Sequence, residues 1–509
     1  MKRYVIAVDI GTTSTKAVIV NRDGEIRASQ SVGYPLSTPA PDRAEQDPYE
    51  ILEAAATAVR LALDSSGIAA GEVRCLSLSS AMHSLIALDQ EDEPLTACIT
   101  WADNRSASYV ATLREQYDAQ AIYAATGTPI HPMSPLLKLM WLRERDPGVF
   151  GRARKFIGIK EFVLHRWFGK FVIDESLASA TGLYSLRERA WHGPSLAAAG
   201  ISADRLSELV PTTHVLEGLR PSWAEKLGLP SDVPAVVGAS DGVLANVGVG
   251  SIEPDSFAVT IGTSGAVRAV VHEPLTDPLG RTFCYALTPG SWVVGGAINN
   301  GGVLFRWVRD ELATKEAAAA VAAGLDPYDA LTQLAGEAPA GSGGLVVLPL
   351  FAGERAPYWN ADVRGVFFGL SLAHGKPHMV RAVLEGVGYA VRSVAEAVEA
   401  AAGKPREIRA AGGFARSPFW RQTLADIIGA PLTVPDAIES SALGAAALGF
   451  HALGDMPNLD EARNWSQASF THEPNTAYRA TYDELFAIYK DLYPRLVEPF
   501  KHIVDFQNK

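Results

Sequence analysis

A fourteen-residue pattern occurs twice in this chain, and it constrains the fold more than any other feature. The first copy is Ala7-Val8-Asp9-Ile10-Gly11-Thr12-Thr13-Ser14-Thr15-Lys16-Ala17-Val18-Ile19-Val20. The second is Ala258-Val259-Thr260-Ile261-Gly262-Thr263-Ser264-Gly265-Ala266-Val267-Arg268-Ala269-Val270-Val271. Each copy reads as an apolar strand, a tight Gly-Thr turn and a second apolar strand. Such a β-hairpin exposes backbone N–H groups and hydroxyls at its tip. Gly11 and Gly262 lie 251 residues apart, about half the chain. The repeat predicts two related domains, and a pair of such tips suits the phosphates of one nucleotide.

With 48% hydrophobic and 20% charged residues in 509, the chain has an ordinary globular composition. Its net charge of -12 gives no bulk basic field for nucleic acid. An anionic ligand must therefore be held by local cations and N–H groups. Cys75, Cys98 and Cys284 are too few and too dispersed for a disulfide framework or a four-cysteine zinc site. They suit three buried thiols in a reducing cytoplasm. The opening apolar run, Val5 to Val8, is stopped by Asp9, so no secretory segment is read there. No apolar run reaches the ~18 residues of a membrane span.

Strand groups alternate with helical segments, which predicts an α/β class. Residues 1–35 read as a meander. Asp47-Pro48 reads as a helix start, with helical spacing from Tyr49 to Leu63. Val73 to Leu78 is a strand running into the tip Ser79-Ser80-Ala81-Met82-His83-Ser84. Val233 to Val237 is a buried strand delivering Gly238-Ala239-Ser240-Asp241-Gly242, with a small-residue helix after it. In the second half, strands are expected at 256–271 and 282–296. Helices are expected at about 303–335, from Pro377 to Ala402, from Trp420 to Gly429 and from Ser440 to His451. Tyr478 to Tyr493 carries amphipathic spacing, and Pro494 should end or kink that helix. The domains are expected to be 1–245 and 246–509.

Several residues in this frame can carry chemistry. Gly11 permits close approach of a phosphate, Thr12, Thr13 and Ser14 add donors, and Lys16 adds positive charge. Asp9 suits Mg²⁺ held through water. A threonine-rich turn with a surface lysine has the same composition, but the second copy argues against that simpler reading. There Thr260 replaces Asp9, so only the first copy brings a carboxylate. No Walker A loop is present, since Gly375-Lys376 and Gly403-Lys404 are each followed by Pro. Asp241 lies at the end of an apolar strand, where α/β sheets bind ligands. It suits a base that accepts a substrate hydroxyl proton, and it equally suits a helix N-cap. Met82-His83 suits a polyol hydroxyl or a carboxylate; a structural histidine fits as well. Trp101-Ala102-Asp103-Asn104-Arg105 suits either a polyhydroxylated substrate or an ion-paired turn. Gly412-Gly413-Phe414-Ala415-Arg416-Ser417, between a strand and a helix, lets a flat ligand such as adenine approach the backbone.

Taken together, these residues resemble the FGGY family of carbohydrate kinases, in the actin/Hsp70/sugar-kinase superfamily. The resemblance covers about residues 4–455. One signature matches from Met133-Ser134-Pro135 to Trp141-Leu142-Arg143-Glu144 and departs at Arg145, where the pattern has an amide, an acid or His. The second matches from Gly365-Val366-Phe367-Phe368-Gly369-Leu370 through His378-Met379 to Ala382-Val383-Leu384-Glu385. Gly353-Glu354-Arg355-Ala356-Pro357 is also family-like.

This resemblance implies two ribonuclease-H-like domains with ATP and sugar in the cleft between them. It implies Asp241 as general base, Asp9 toward Mg²⁺, and Thr12, Thr13, Ser14 and Lys16 on the ATP phosphates. Gly262-Thr263 becomes the second phosphate tip. Gly301-Gly302 and Gly412-Gly413, with Ser417, line the nucleotide pocket. The stretches Ser80–Ser84 and Thr126–Pro135 are similar to the gluconate kinases of this family. Gly242 then leaves room for a six-carbon acid, with Met82 and Asp103 beside it. His83, His131, Asn104 or Arg105 is expected to receive the carboxylate. The expected reaction is transfer of the γ-phosphoryl group of ATP to the 6-hydroxyl of gluconate. Xylulose or another pentulose or polyol is the alternative acceptor. An Hsp70- or actin-like ATPase shares the hairpins but lacks both signatures. A cytoplasmic protein without nucleic-acid or membrane partners is expected, and the resemblance adds a homodimer.

Overall fold

The computed structural model describes residues 2–435, 439–466 and 468–507. The chain forms two compact units. The first comprises Met1–Ile252, Val270–Val293 and Glu439–Ser466; the second comprises Glu253–Ala269, Val294–Ile438 and Gln467–Lys509. These units differ from a single cut at residue 245, because the chain returns to the first unit late. The returning helix, Ser440–Ala452, is rich in Ala and Gly and is buried along most of its length. Its Ala445 carbonyl accepts the Ser77 hydroxyl at 2.6 Å.

The first unit is built on strands β1 (Tyr4–Ile10), β2 (Ser14–Asn21), β3 (Ile26–Gly33), β4 (Val73–Ser80), β5 (Val215–Leu216) and β6 (Ala235–Ser240). Their order across the sheet is β3-β2-β1-β4-β6-β5. β1, β4 and β6 run parallel. They are buried along most of their length because both faces of the sheet are covered. The Pro48–Ser66 helix packs on β2 and β3. Asp47 caps it by accepting Tyr49 N–H at 2.8 Å, and Gly67, with φ of 71°, ends it.

The second unit repeats the order with β7 (Ser256–Ile261), β8 (Gly265–Val271), β9 (Ser291–Ile298), β10 (Glu407–Ala411), β11 (Leu432–Pro435) and β12 (Ala468–His472). The sheet runs β9-β8-β7-β10-β11-β12, with Phe283–Thr288 as a seventh strand at its edge beyond β9. β7 pairs antiparallel with β8 and parallel with β10, as β1 does with β2 and β4. The two-fold repeat seen in the sequence is thus a repeat of whole sheets, as expected for two ribonuclease-H-like units. The Lys376–Ala402 helix buries Val380, Val383, Leu384, Val387, Val391, Val394 and Val398 along one stripe of this core.

The last helix departs from expectation. It runs from Arg479 to Gln507 with Pro494 and Pro499 inside it, so Pro494 does not end it. Each proline removes one N–H, but Phe500 and Val504 beyond them are buried, and that packing keeps the segment helical. No helix among the described residues is long and apolar enough to cross a membrane.

Candidate functional site

In the first unit three parallel strands end side by side. Asp9 and Ile10 of β1 lie in register with Ser79 and Ser80 of β4, and these with Ala239 and Ser240 of β6. The carboxyl edge of the sheet therefore presents Asp9, the Ser79–Ser80 pair and Asp241 together. Asp9 is held at both oxygens: Ser79 Oγ donates to Oδ1 and Ser441 Oγ donates to Oδ2, each at 2.6 Å. Lys16 lies opposite Asp9 across the hairpin, and its ammonium pairs with Glu439 at 2.5 Å.

The tip itself is closed by Gly11 N–H to Ser14 O at 3.0 Å. It is braced from behind. Tyr34 OH donates to Gly11 O at 2.6 Å, Gln46 Nε2 to Thr12 O at 2.6 Å, and Trp101 Nε1 to Thr12 Oγ1 at 2.8 Å. Thr12, Thr13, Ser14 and Lys16 all keep solvent-accessible surface. The arrangement is a rigid, hydroxyl-rich rim around one carboxylate and one ammonium.

Asp241 opens the Asp241–Gly248 helix, and its Oδ1 accepts Gly242 N–H at 2.7 Å. Ser240 stands at the N-cap but makes no side-chain cap; its hydroxyl lies 3.1 Å from Ser176 Oγ instead. Ser240 therefore does not cap this helix through its side chain. Directly behind, Lys160 donates to Ala239 O at 3.1 Å and pairs with Asp174 at 2.6 Å, both fully buried. Burial pulls the Lys160 ammonium below its usual range, and Asp174 opposes that pull.

The short Glu175–Ser179 helix is the hub that sequence reasoning missed. Asp174 caps it through Leu177 N–H at 2.9 Å. Ser176 reaches Ser240, the Ser179 carbonyl accepts Thr128 Oγ1 at 2.7 Å, and the Ala180 carbonyl accepts His83 Nδ1 at 2.7 Å. One turn of helix thus ties the Asp241 strand end, the Met82-His83 tip and the 126–135 loop together. His83 sits at φ 68°, an uncommon conformation for a non-glycine residue. Lys138 fixes it: this fully buried ammonium donates to His83 O at 2.6 Å and Thr100 O at 2.7 Å. Burial pushes Lys138 down to about 7. His131 accepts Met133 N–H at Nδ1 (3.2 Å), so in the neutral ring Nε2 carries the proton.

The 101–105 loop takes the ion-paired form of its two readings. Asp103 is fully buried; its oxygens accept Arg105 Nε at 2.8 Å, Arg105 Nη2 at 2.7 Å and Ala44 N–H at 2.8 Å. Arg105 also pairs with Glu45 and lies 5.1 Å from the centre of the Trp141 ring. Its guanidinium lines a cavity with Arg43, Trp141 and Arg145 rather than with His83, His131 or Asp241. Asp103 and Arg105 thus form a buried ion pair, and Asn104 is an exposed residue bonded to Ala102 O at 3.3 Å. The pairing has a plain physical reason: a buried acid needs its base.

In the second unit the tip Gly262-Thr263-Ser264 carries the start of the next helix. Gly302 N–H donates to Gly262 O at 2.7 Å, and Gly301 and Val303 N–H donate to Thr263 O at 3.2 and 3.1 Å. Gly412, at φ 105°, ends β10 against β7; a Cβ there would lie 2.4 Å from Ile261 O. Beside these turns opens a cavity of about 280 Å³. Gly262, Thr263, Gly302, Gly413 and Ser417 line it. Gly301 and Gly412 adjoin the lining residues Gly302 and Gly413 in the chain. Phe305, Phe414 and Trp420 supply an apolar wall, and Arg306, Asp326, Tyr328 and Asp329 a polar one. Apart from Phe414, which lies in the Gly412–Ser417 stretch, these were not foreseen. Asp326-Pro327-Tyr328 reads only as a capped helix start, and nothing local says which way it faces. A flat base on the aromatic wall and hydroxyls on the acids is the chemistry this cavity suits.

Glu354 holds the Asn299–Gly302 approach. It is buried and accepts Asn299 N–H at 2.6 Å and Arg355 N–H at 2.9 Å, while Asn300 Nδ2 donates to Gly353 O at 2.7 Å. Burial pushes its carboxyl up to about 7 from an ordinary 4.5. The folded protein thus keeps a proton that the unfolded chain has released, and stability is lost as pH rises through that window. Glu354→Gln should raise Tm relative to wild type more at about pH 8 than at about pH 5. Thermal unfolding at the two pH values tests this; a pH-independent Tm difference would contradict it.

Two sheets of one order, each with a phosphate-type hairpin, one with a strand-end aspartate and the other with a nucleoside-sized cavity, define an ATP-using phosphotransferase. Comparison with known proteins agrees. The description "FGGY family of carbohydrate kinases, N-terminal domain" matches residues 4–248, and its C-terminal counterpart matches residues 257–453. The chain belongs to the FGGY family of carbohydrate kinases. It is 45% identical to a gluconokinase of Bacillus subtilis (strain 168), over 100% of this chain and 99% of that protein. Among solved structures it is similar to a ligand-bound xylulose kinase from Lactobacillus acidophilus, with a TM-score of 0.93, 38% identity and coverage of 98% and 99% of the two chains. A gluconate kinase from Lactobacillus acidophilus gives a TM-score of 0.91, 38% identity and coverage of 97% and 98%.

Proposed function

We propose that this protein transfers the γ-phosphoryl group of ATP to the 6-hydroxyl of D-gluconate, giving 6-phospho-D-gluconate. The observation that carries the choice of acceptor is the 45% identity, end to end, with a gluconokinase. The strand-end geometry supports the rest. Asp241 accepts the hydroxyl proton as the new O–P bond forms and the bond to the ADP oxygen breaks. Thr12, Thr13, Ser14 and Lys16 take phosphate oxygens at the first tip, and Gly262-Thr263 at the second. Gly301, Gly302, Gly412, Gly413 and Ser417 shape the nucleoside cavity.

Asp9 fits Mg²⁺. Its carboxylate is anchored by two hydroxyls, and the described residues hold no cluster of three or more His, Cys, Asp or Glu. That donor set suits an ion that keeps most of its waters and borrows phosphate oxygens. Once bound, the ion neutralises charge on the phosphates.

Met82, His83, His131 and Gly242 form the acceptor side, with His131 for the carboxylate. Asn104 stays a secondary candidate. Three buried, unpaired cysteines suit a reducing cytoplasm. A homodimer belongs to the same reading and is checked by light scattering.

ADP release with Mg²⁺ should depend on gluconate and not on xylulose, ribulose or glycerol. His131→Ala should raise the KM for gluconate at least about tenfold, through loss of a charge-assisted hydrogen bond, with a smaller change in kcat. An unchanged KM would remove His131 from the carboxylate. A pentulose response is the outcome that the xylulose kinase likeness would favour.

A further inference from the structure

The charges around the first tip do not sum to what free ATP would seek. Asp9 and Lys16 face each other across the hairpin, and Glu439 adds a second carboxylate directly on the Lys16 ammonium at 2.5 Å. Both members of that ion pair are mostly shielded, with Lys16 32% and Glu439 21% exposed. Low exposure keeps such a pair from being screened away. The tip therefore carries two formal negative charges and one positive, on a chain whose net charge is already -12. Glu439 is the N-cap residue of the Ser440–Ala452 helix. Two residues on, Ser441 holds Asp9. One short segment thus sets the position of the ammonium and of the carboxylate, and it cancels the charge of the first.

We propose that Glu439 makes this tip selective for metal-complexed nucleotide over free ATP. The inference rests on the reading that the tip receives ATP phosphates. A lysine without a counter-charge would attract the polyphosphate whether or not a cation came with it. With Glu439 in place the local field opposes an incoming polyanion, and the penalty grows with the ligand's charge. The magnesium complex carries less negative charge than free ATP and brings a cation for Asp9. The penalty therefore falls on the free form. Glu439 is a positioning and selectivity residue that acts through Lys16; the proposal requires no contact between it and the reacting atoms.

The test is nucleotide binding by calorimetry, with no acceptor sugar, in EDTA and in excess Mg²⁺. Glu439→Gln should tighten binding of ATP in EDTA about tenfold, the scale of one unit charge removed at short range in a partly screened site. Binding in Mg²⁺ should change less than about threefold on the same reasoning. Glu439→Ala should reproduce the shift if the Gln variant folds poorly, and Glu439→Asp, which keeps the charge, should retain the wild-type ratio. Equal changes in both media, or none in either, overturn the proposal. Lys16→Met separates the two levels of failure. If it weakens both forms while Glu439→Gln leaves their ratio unmoved, the selectivity idea alone fails. If it leaves both unchanged, the tip does not hold the phosphates.

Discussion

Replacing Asp241 by Asn should lower kcat for sugar phosphorylation by a factor of about 10³, within the range for losing a general base. Nucleotide affinity should stay within about twofold, since uniform ground-state binding is not what the base provides. The substitution is well posed structurally. Asn keeps an oxygen where Asp241 Oδ1 accepts Gly242 N–H, so the helix start is retained. The Lys160–Asp174 pair below is already matched and does not need the Asp241 charge to stay folded. Single-turnover phosphoryl transfer and calorimetric ATP binding, run on the same preparation, read the two quantities. A kcat within tenfold of wild type would exclude Asp241 as the base. Loss of ATP binding along with kcat would show that the carboxylate supports nucleotide rather than acceptor.

What could be read from sequence was whatever the chain writes locally. The doubled hairpin is local, since its turn and both its strands lie within about fourteen residues, and it predicted two related domains. Strand-end placement of Asp241 followed from the apolar run before it. Partners brought from afar were invisible. Ser441 meets Asp9 across 432 residues, and Glu439 meets Lys16 across 423. The Glu175–Ser179 helix is too short to carry periodicity, yet it joins three loops. Tyr328 and Asp329 reach the nucleoside cavity only through the orientation of their helix. In the 101–105 loop both an ion pair and a sugar site were open. The ion pair forms because Asp103 is buried, and burial is a tertiary quantity. Pro494 failed as a stop signal for the same reason: apolar packing on the far side outweighs a local preference.

The closest backbone approach between the two helices that carry site residues leads to the second large effect. The Asp241–Gly248 and Ser440–Ala452 helices cross with almost no side chain between them. A Cβ on Gly444 would lie 2.0 Å from Leu244 O, and one on Gly248 would lie 1.7 Å from Ser440 O. Backbone cannot yield as a flexible side chain does. Gly444→Val should therefore destabilise the first unit by about 3 kcal/mol, at the upper end of the usual cost of overpacking. Gly444→Ala should cost less but remain measurable, because its single methyl meets the same carbonyl. One helix begins with Asp241 and the other follows Glu439 and contains Ser441. Forcing them apart should lengthen the Ser441–Asp9 hydrogen bond as well, so the folded fraction of Gly444→Ala should need more Mg²⁺ for half-maximal activity. Urea unfolding followed by the first unit's tryptophans measures the stability term, and a Mg²⁺ titration of activity measures the other. An alanine variant with wild-type stability would mean the helices stand further apart than the glycines imply. A stability loss with an unchanged Mg²⁺ requirement would mean that the crossing bears on the fold alone and not on the placement of Asp9.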